Sequence, residues 1–197
     1  MKIIIATDIF GKTPALEQLA ATISENAVIL EPYNGRHMDF DSEGGAYTYF
    51  TENVGLGCYG ELVEEYVSSC SEKLLLIGFS IGASAIWNLS ENRDLSNISE
   101  AICFYGSQIR NRTDVTPTFP IQMVFPKAER HFSVRQLIDQ IENKKNVSVR
   151  QVPYFHGFMN EKSENFNLNG YEQGMEILAK KICEQRSKAV KGSSKVT

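Results

Sequence analysis

The chain has 197 residues, of which 42% are hydrophobic and 22% charged, and its formal net charge is -4 at pH 7. This length and composition are typical of one folded domain and exclude the disordered, collagen-like and coiled-coil classes. The acidic balance provides no electrostatic surface for nucleic acid or for an anionic membrane. We therefore expect a small-molecule partner, with no nucleic acid and no membrane involved.

Five short apolar runs predict strands, because continuous runs without alternation are typical of a parallel sheet covered on both faces. In chain order they lie at residues 3–5, 27–30, 74–77, 101–105 and 121–125. A sixth run, at 147–152, alternates between apolar and polar residues and should lie nearer a sheet edge. Apolar residues at helical spacing separate the strands. The helical patterns lie at 16–23, 59–67, 81–89, 134–141 and 171–182.

Strands that alternate with helices need crossover connections, which predicts an α/β fold with a doubly wound, mostly parallel sheet of about six strands. In such sheets the ligand site lies at the carboxyl ends of the strands. We expect residues 1–184 to form a single domain and the basic segment 185–197 to be a flexible tail. The longest excursion between elements, residues 32–57, should overhang the site.

Targeting, metal and cofactor signals are missing from the sequence. No apolar run approaches the roughly 18 residues of a membrane span, and the first residues lack a signal-peptide cleavage site. The four cysteines form no CxxC pair and have no histidine at metal-ligand spacing. Glycine-rich stretches do not follow a strand as a dinucleotide fingerprint requires. We expect a cytoplasmic protein with free thiols, no cofactor and no metal, and no pattern indicates its oligomeric state.

The segment Gly78-Phe79-Ser80-Ile81-Gly82 follows the third predicted strand and opens the predicted helix at 81–89. A GxSxG string between a strand and a helix is typical of a nucleophile elbow, whose sharp turn exposes the serine hydroxyl above the sheet. The helix N-terminus adds positive potential where an oxyanion would form. The alternative interpretation is an ordinary turn with a helix-capping serine.

A nucleophilic serine needs a base, and the chain has three histidines. His156 follows the last predicted strand, at the same sheet edge as Ser80, and is the candidate general base. The alternative role for His156 is a loop histidine that bonds to the backbone. His37 lies in the long excursion and His131 follows the fifth strand. We expect both at the surface, with a place in the wall of the pocket as the alternative for either.

Over residues 2–184 the sequence resembles the dienelactone hydrolase branch of the α/β-hydrolases. The resemblance rests on four blocks in order, TDIFG at 7–11, GFSIG at 78–82, CFYG at 103–106 and HGFMN at 156–160. It implies Ser80 as nucleophile and His156 as general base, with the backbone NH groups of Ile9 and Ile81 as the oxyanion hole. The family usually has cysteine at the elbow. Serine makes the base more necessary, because a hydroxyl is scarcely ionised at pH 7.

The acid of the triad is where this sequence departs from the family. The family's aspartate stands just before a His-Phe pair, and here Arg130 occupies that position. Glu129, one residue earlier, is the candidate acid, with Asp114 after the fourth strand as the reserve. The alternative for Glu129 is a solvated loop carboxylate. Without a carboxylate to orient His156, kcat would fall by a factor on the order of 10⁴.

Side chains at the strand ends are candidates for substrate contacts. Asp8 stands at the end of the first predicted strand and should approach the elbow, where it either helps to hold Ser80 or caps the turn at Thr13. Guanidinium groups on these loops suit a carboxylate-bearing ester or lactone. The candidate pocket residues are Asp8, Phe10, Tyr105, Arg110, Arg130 and Phe158.

Two functional hypotheses follow from these residues. The first is a serine hydrolase that cleaves a small ester or lactone through an acyl-enzyme. The second is a catalytically weak or inactive protein of the same fold that binds a small acidic or ester ligand.

Overall fold

The computed structural model describes residues 1–193, with side chains to residue 187, and contains one six-stranded sheet. The strands are β1 (Lys2–Ala6), β2 (Val28–Leu30), β3 (Leu74–Phe79), β4 (Ile98–Phe104), β5 (Ile121–Phe125) and β6 (Val147–Gln151). Their spatial order is β2-β1-β3-β4-β5-β6, and every neighbouring pair is parallel. The predicted α/β class is confirmed.

Helices cover both faces of the sheet. They are α1 (Pro14–Ile23), α2 (Glu43–Asn53), α3 (Gly55–Ser69), α4 (Ile81–Leu89), α5 (Val134–Ile141) and α6 (Leu168–Ser193). The hydrophobic cluster on one face contains residues of α1 and α6, and the cluster on the other face contains residues of α2, α3, α4 and α5. The sheet is therefore doubly wound, and its central strands are inaccessible to water.

Local sequence explains the central and peripheral elements. All six residues of β3 are buried, as its continuous apolar run predicts. At the sheet edge, β6 alternates between half-buried and exposed residues over most of its length. Thr13 caps α1 by accepting a hydrogen bond from the Leu16 amide at 3.2 Å, and Pro14 occupies the first turn, where no intrahelical NH is needed.

Three segments differ from the sequence-based expectation. The excursion 32–57 contains α2, which buries only Ala46 and Phe50 and so lacks an apolar stripe in the sequence. The β4–β5 connection has a short 3₁₀ helix, Ser107–Asn111. Helix α6 continues past residue 184 to Ser193, and Gln185 at the start of this extension is buried and donates to Glu100 at 2.5 Å. Residues 194–197 of the expected flexible tail lie outside the described residues.

In the part of the chain that the structure describes, no helix combines the length and the hydropathy needed to cross a bilayer.

Candidate functional site

Ser80 stands at the tight turn between β3 and α4. Its backbone has φ 51° and ψ -108°, a left-handed conformation that is costly for a residue other than glycine. The Ser80 amide donates to the Phe104 carbonyl at 3.0 Å, and the Ser84 amide donates to the Ser80 carbonyl at the same distance. These bonds attach the turn to the neighbouring strand and to the helix, so the strained conformation is supported on both sides.

Glycine is required on both sides of Ser80 for steric reasons. A Cβ atom on Gly78 would lie 2.7 Å from the backbone of Ala83, in the helix that follows. A Cβ atom on Gly82 would lie 2.2 Å from the carbonyl oxygen of Ala6, in β1. Contacts this short are repulsive, so the two glycines allow α4 to approach the sheet closely.

The side chains of Ser80, His156 and Glu129 form a continuous hydrogen-bonded chain. Ser80 Oγ lies 3.0 Å from His156 Nε2, and His156 Nδ1 lies 2.6 Å from Glu129 Oε1. The relative exposure of the His156 and Glu129 side chains is 19% and 13%, and Ser80 is buried. Little solvent therefore screens the contact between the imidazole and the carboxylate.

The sheet register brings His156 and Glu129 together. Phe125 at the end of β5 pairs with Gln151 at the end of β6, and Glu129 and His156 follow these paired ends on neighbouring loops. The Lys127 amide donates to the carbonyl of Tyr154 at 2.8 Å and ties the two loops together. The glutamate therefore reaches the imidazole from the position before Arg130, which itself is exposed.

Ile9 and Ile81, the predicted oxyanion-hole residues, lie at the cavity next to Ser80. Ile9 follows β1 and Ile81 opens α4, and both residues line the cavity that contains Ser80. Within residues 1–193, neither amide donates to a protein acceptor. The Tyr33 hydroxyl donates to the Ile9 carbonyl at 2.5 Å and holds this loop in place. Both residues therefore border the cavity with backbone NH groups that have no acceptor within residues 1–193.

Within the described part of the chain, the Asp8 carboxylate forms no hydrogen bond with the Ser80 hydroxyl or with Thr13. This carboxylate accepts hydrogen bonds from the Phe10 amide at 2.9 Å and from the Asn160 side chain. This contact links the loop after β1 to the loop that contains His156. Burial raises the pKa of Asp8 to about 6, and the two hydrogen bonds oppose that rise.

The cavity above Ser80 has a volume of about 710 Å³, within the usual range for small-molecule sites. Of the predicted pocket residues, Arg110 and Arg130 line this cavity. The Arg110 guanidinium lies 5.0 Å from the ring centroid of Phe132, which also faces the cavity. Glu43, Gly44 and Tyr47 of α2 contribute a further wall, as the overhang of this segment predicts.

The other four predicted pocket residues lie elsewhere. Phe10 and Phe158 are buried in the two hydrophobic clusters, because their rings complete the packing of the sheet faces. Asp8 and Tyr105 line a separate cavity of about 30 Å³. The Tyr105 ring nevertheless packs against the imidazole of His156, at 5.1 Å between ring centroids.

The remaining candidates from the sequence are all at the surface. Asp114 has a side-chain exposure of 71% and pairs with Arg112 at 3.4 Å instead of His156. His37 is exposed and does not line the cavity, whereas His131 is exposed at its edge. Among the described residues, no group of three or more metal-ligating side chains could hold a metal ion.

This geometry has a defined chemical capability. A hydroxyl in contact with a neutral imidazole nitrogen loses its proton readily when an electrophile approaches. A carboxylate on the other ring nitrogen fixes the tautomer and stabilises the imidazolium. Free NH groups beside the hydroxyl stabilise a developing oxyanion.

Comparison of the sequence with models of known protein families assigns the chain to a family. Residues 60–184 match the model of the "Dienelactone hydrolase family". The chain belongs to the dienelactone hydrolase family. The resemblance seen in the sequence is therefore confirmed, and membership of this family supports a hydrolase function.

Known relatives and solved structures are consistent with this family. The uncharacterized protein YczH of Bacillus subtilis (strain 168) is 29% identical over 154 residues, which are 77% of this chain and 74% of YczH. A dienelactone hydrolase-like promiscuous phosphotriesterase from metagenomic libraries superposes with a TM-score of 0.66 at 10% identity, covering 93% of this chain and 85% of the other. Est1E from Butyrivibrio proteoclasticus superposes with a TM-score of 0.61 at 12% identity, covering 94% and 88%. At these identities the two structures support the fold alone.

Proposed function

We propose that this member of the dienelactone hydrolase family is a serine hydrolase that cleaves a small ester or lactone through an acyl-enzyme. Ser80 is the nucleophile, His156 the general base and Glu129 the acid that orients it. The observation that supports these roles is the chain of contacts from Ser80 Oγ through His156 to Glu129, at 3.0 and 2.6 Å.

In the acylation step, Ser80 Oγ attacks the substrate carbonyl while His156 Nε2 accepts the hydroxyl proton. The carbonyl oxygen becomes an oxyanion that accepts hydrogen bonds from the Ile9 and Ile81 amides. Collapse of the tetrahedral intermediate breaks the bond to the alcohol oxygen, which takes the proton from His156. A lactone opens in this step, so its alcohol stays attached to the acyl group.

In the deacylation step, water attacks the acyl carbonyl and His156 accepts one of its protons. The second tetrahedral intermediate expels Ser80 Oγ, which regains its proton from His156, and the carboxylic acid product leaves. The carboxylate of Glu129 stabilises the imidazolium each time it forms, because the 2.6 Å contact is shielded from water.

Two guanidinium groups in the cavity are candidate contacts for a carboxylate on the substrate. Arg110 and Arg130 line the same cavity as Ser80, as do the acidic residues Glu43 and Glu164. Neither arginine forms an ion pair with another described residue, and Arg110 donates a hydrogen bond to the Ser107 carbonyl at 2.7 Å. Guanidinium groups bind carboxylates with two parallel hydrogen bonds. We therefore infer that a substrate carboxylate, where one is present, binds to Arg110 or Arg130.

Ester hydrolysis by matched serine variants tests the proposal. Ser80→Ala should reduce the hydrolysis of p-nitrophenyl acetate to the background rate, because it removes the nucleophile. Ser69→Ala is the control, since Ser69 is an exposed serine at the end of α3. Equal rates for wild type and Ser80→Ala, with both folded, would exclude the proposed mechanism.

The second hypothesis, a ligand-binding protein without turnover, was suggested by Arg130 in the position of the family's aspartate. The contact between Glu129 and His156 provides the missing carboxylate from the preceding residue and favours the enzyme. A thermal shift with small acids, together with no hydrolysis above the Ser80→Ala rate, would favour binding alone.

A further inference from the structure

Exposed apolar side chains are concentrated at the cavity. Among the residues whose side chains are described, four large hydrophobic residues are prominently exposed, at 42 to 61%. Two of these four, Tyr47 at 48% and Phe155 at 47%, line the cavity above Ser80. Isolated exposed hydrophobic residues are ordinary, but two that share one cavity with a nucleophile indicate a surface for an apolar ligand group.

Phe155 lines the cavity without being buried. The Lys127 ammonium lies 4.0 Å from its ring centroid, a cation–π contact. Phe155 immediately precedes His156 in the chain and lines the same cavity. About half of its surface nevertheless faces solvent.

Tyr47 approaches the cavity from a different element. It lies on α2, whose buried residues Ala46 and Phe50 attach the helix to the hydrophobic core. The Tyr47 hydroxyl has only a long contact of 3.5 Å, from the Gln108 amide. Hydrogen bonding therefore does not explain why an aromatic ring occupies this position, whereas contact with an apolar group would.

We propose that Tyr47 and Phe155 are specificity-determining residues that bind a flat apolar group of the substrate, such as an aryl ring. This inference rests on the proposed function, since it describes how the same cavity selects among esters. The substrate class becomes an ester or lactone with a ring-sized apolar substituent. Contact with the two rings would remove that substituent from water and offset the cost of leaving both rings exposed.

Three esters test this proposal by pH-stat measurement of kcat/KM. Ethyl acetate has no ring, benzyl acetate has one on the alcohol, and ethyl phenylacetate has one on the acyl group. The measured quantity is the ratio of kcat/KM for each ring-bearing ester to that for ethyl acetate. Intrinsic ester reactivity is the same for every variant, so a change in the ratio between variants reports the cavity alone.

We expect Tyr47→Ala and Phe155→Ala each to lower the ratio for at least one ring-bearing ester by about tenfold, mainly through KM. Tyr47→Phe keeps the ring and should keep the wild-type ratio. Leu168→Ala is the matched control, because Leu168 is 61% exposed and does not line the cavity. Its ratios should equal those of wild type.

Ratios within threefold of wild type in both alanine variants would overturn the proposal, even if all three esters are cleaved. An equal loss for all three esters would also overturn it, because the rings would then act on the structure of the site and not on the apolar group. If the wild type cleaves none of the esters, the proposed function itself fails and the inference fails with it.

Discussion

Replacing Glu129 by glutamine tests the least conventional residue of the proposed triad. The substitution keeps the shape of the side chain and removes the charge that lies 2.6 Å from His156 Nδ1. The amide can donate a hydrogen bond to the imidazole and so favour the wrong tautomer, and it does not stabilise the imidazolium.

The structure sets the size of the expected effect. Both partners are mostly shielded from solvent, at 13% and 19% exposure, so water cannot replace the lost carboxylate. The corresponding change from acid to amide in the serine protease triad lowers kcat by about 10⁴. Because residual exposure screens part of the interaction here, we expect a loss of about 10³ to 10⁴, or about 4 to 5.5 kcal/mol of transition-state stabilisation.

The assay is the steady-state hydrolysis of p-nitrophenyl acetate by wild type, Glu129→Gln and Asp114→Asn. Asp114 is the matched control, because its carboxylate is 71% exposed and pairs with Arg112. Asp114→Asn should stay within about twofold of wild type, since exposed pairs contribute little. A folded Glu129→Gln protein with a rate within threefold of wild type would refute the role of Glu129.

Two further predictions concern stability. Gly82→Ala should lower the free energy of unfolding by at least about 2 kcal/mol in urea, because its Cβ would lie 2.2 Å from the Ala6 carbonyl oxygen. Gly57 lies in α3, and a Cβ atom there would have no neighbour within 4 Å, so Gly57→Ala should instead raise the free energy of unfolding by about 0.5–1 kcal/mol. Equal changes in the free energy of unfolding for the two variants would contradict the steric argument. The pKa of Asp8 is raised from 3.8 to about 6 in the folded protein. Between pH 3.8 and about 6 the folded protein therefore binds more protons at Asp8 than the unfolded chain does, so the free energy of unfolding decreases as the pH rises. When the pH rises from 4 to 7, the free energy of unfolding of Asp8→Asn should therefore increase by about 1–3 kcal/mol relative to that of wild type in urea titrations. The lower part of this range is expected for a partly exposed side chain. A difference between the two proteins that does not change with pH would contradict the pKa shift.

Most of the fold could be predicted from the sequence because the central strands are continuous apolar runs. The buried strand at 74–79 and the small apolar helix after it leave little alternative to a parallel sheet covered on both faces. Helix α2 could not be predicted in this way. It contains two adjacent glycines and buries only Ala46 and Phe50, so its sequence has no helical periodicity.

The site was only partly predictable for a similar reason. Chain order and strand ends are visible in a sequence, which is enough to bring Ser80, Glu129 and His156 to one edge of the sheet. The direction of a side chain on a loop is not visible. Phe10 and Phe158 therefore pack into the core although their positions suggest a pocket, while Tyr47 and Phe155 line the cavity without any motif that marks them.

The central claim is covalent chemistry at a single serine, and a fluorophosphonate probe followed by intact-mass measurement tests it most directly. Wild type should gain the mass of one label, peptide mapping should locate it at Ser80, and Ser80→Ala should gain none. Wild-type protein that remains unlabelled, or a Ser80→Ala protein that is labelled to the same extent, would contradict the account.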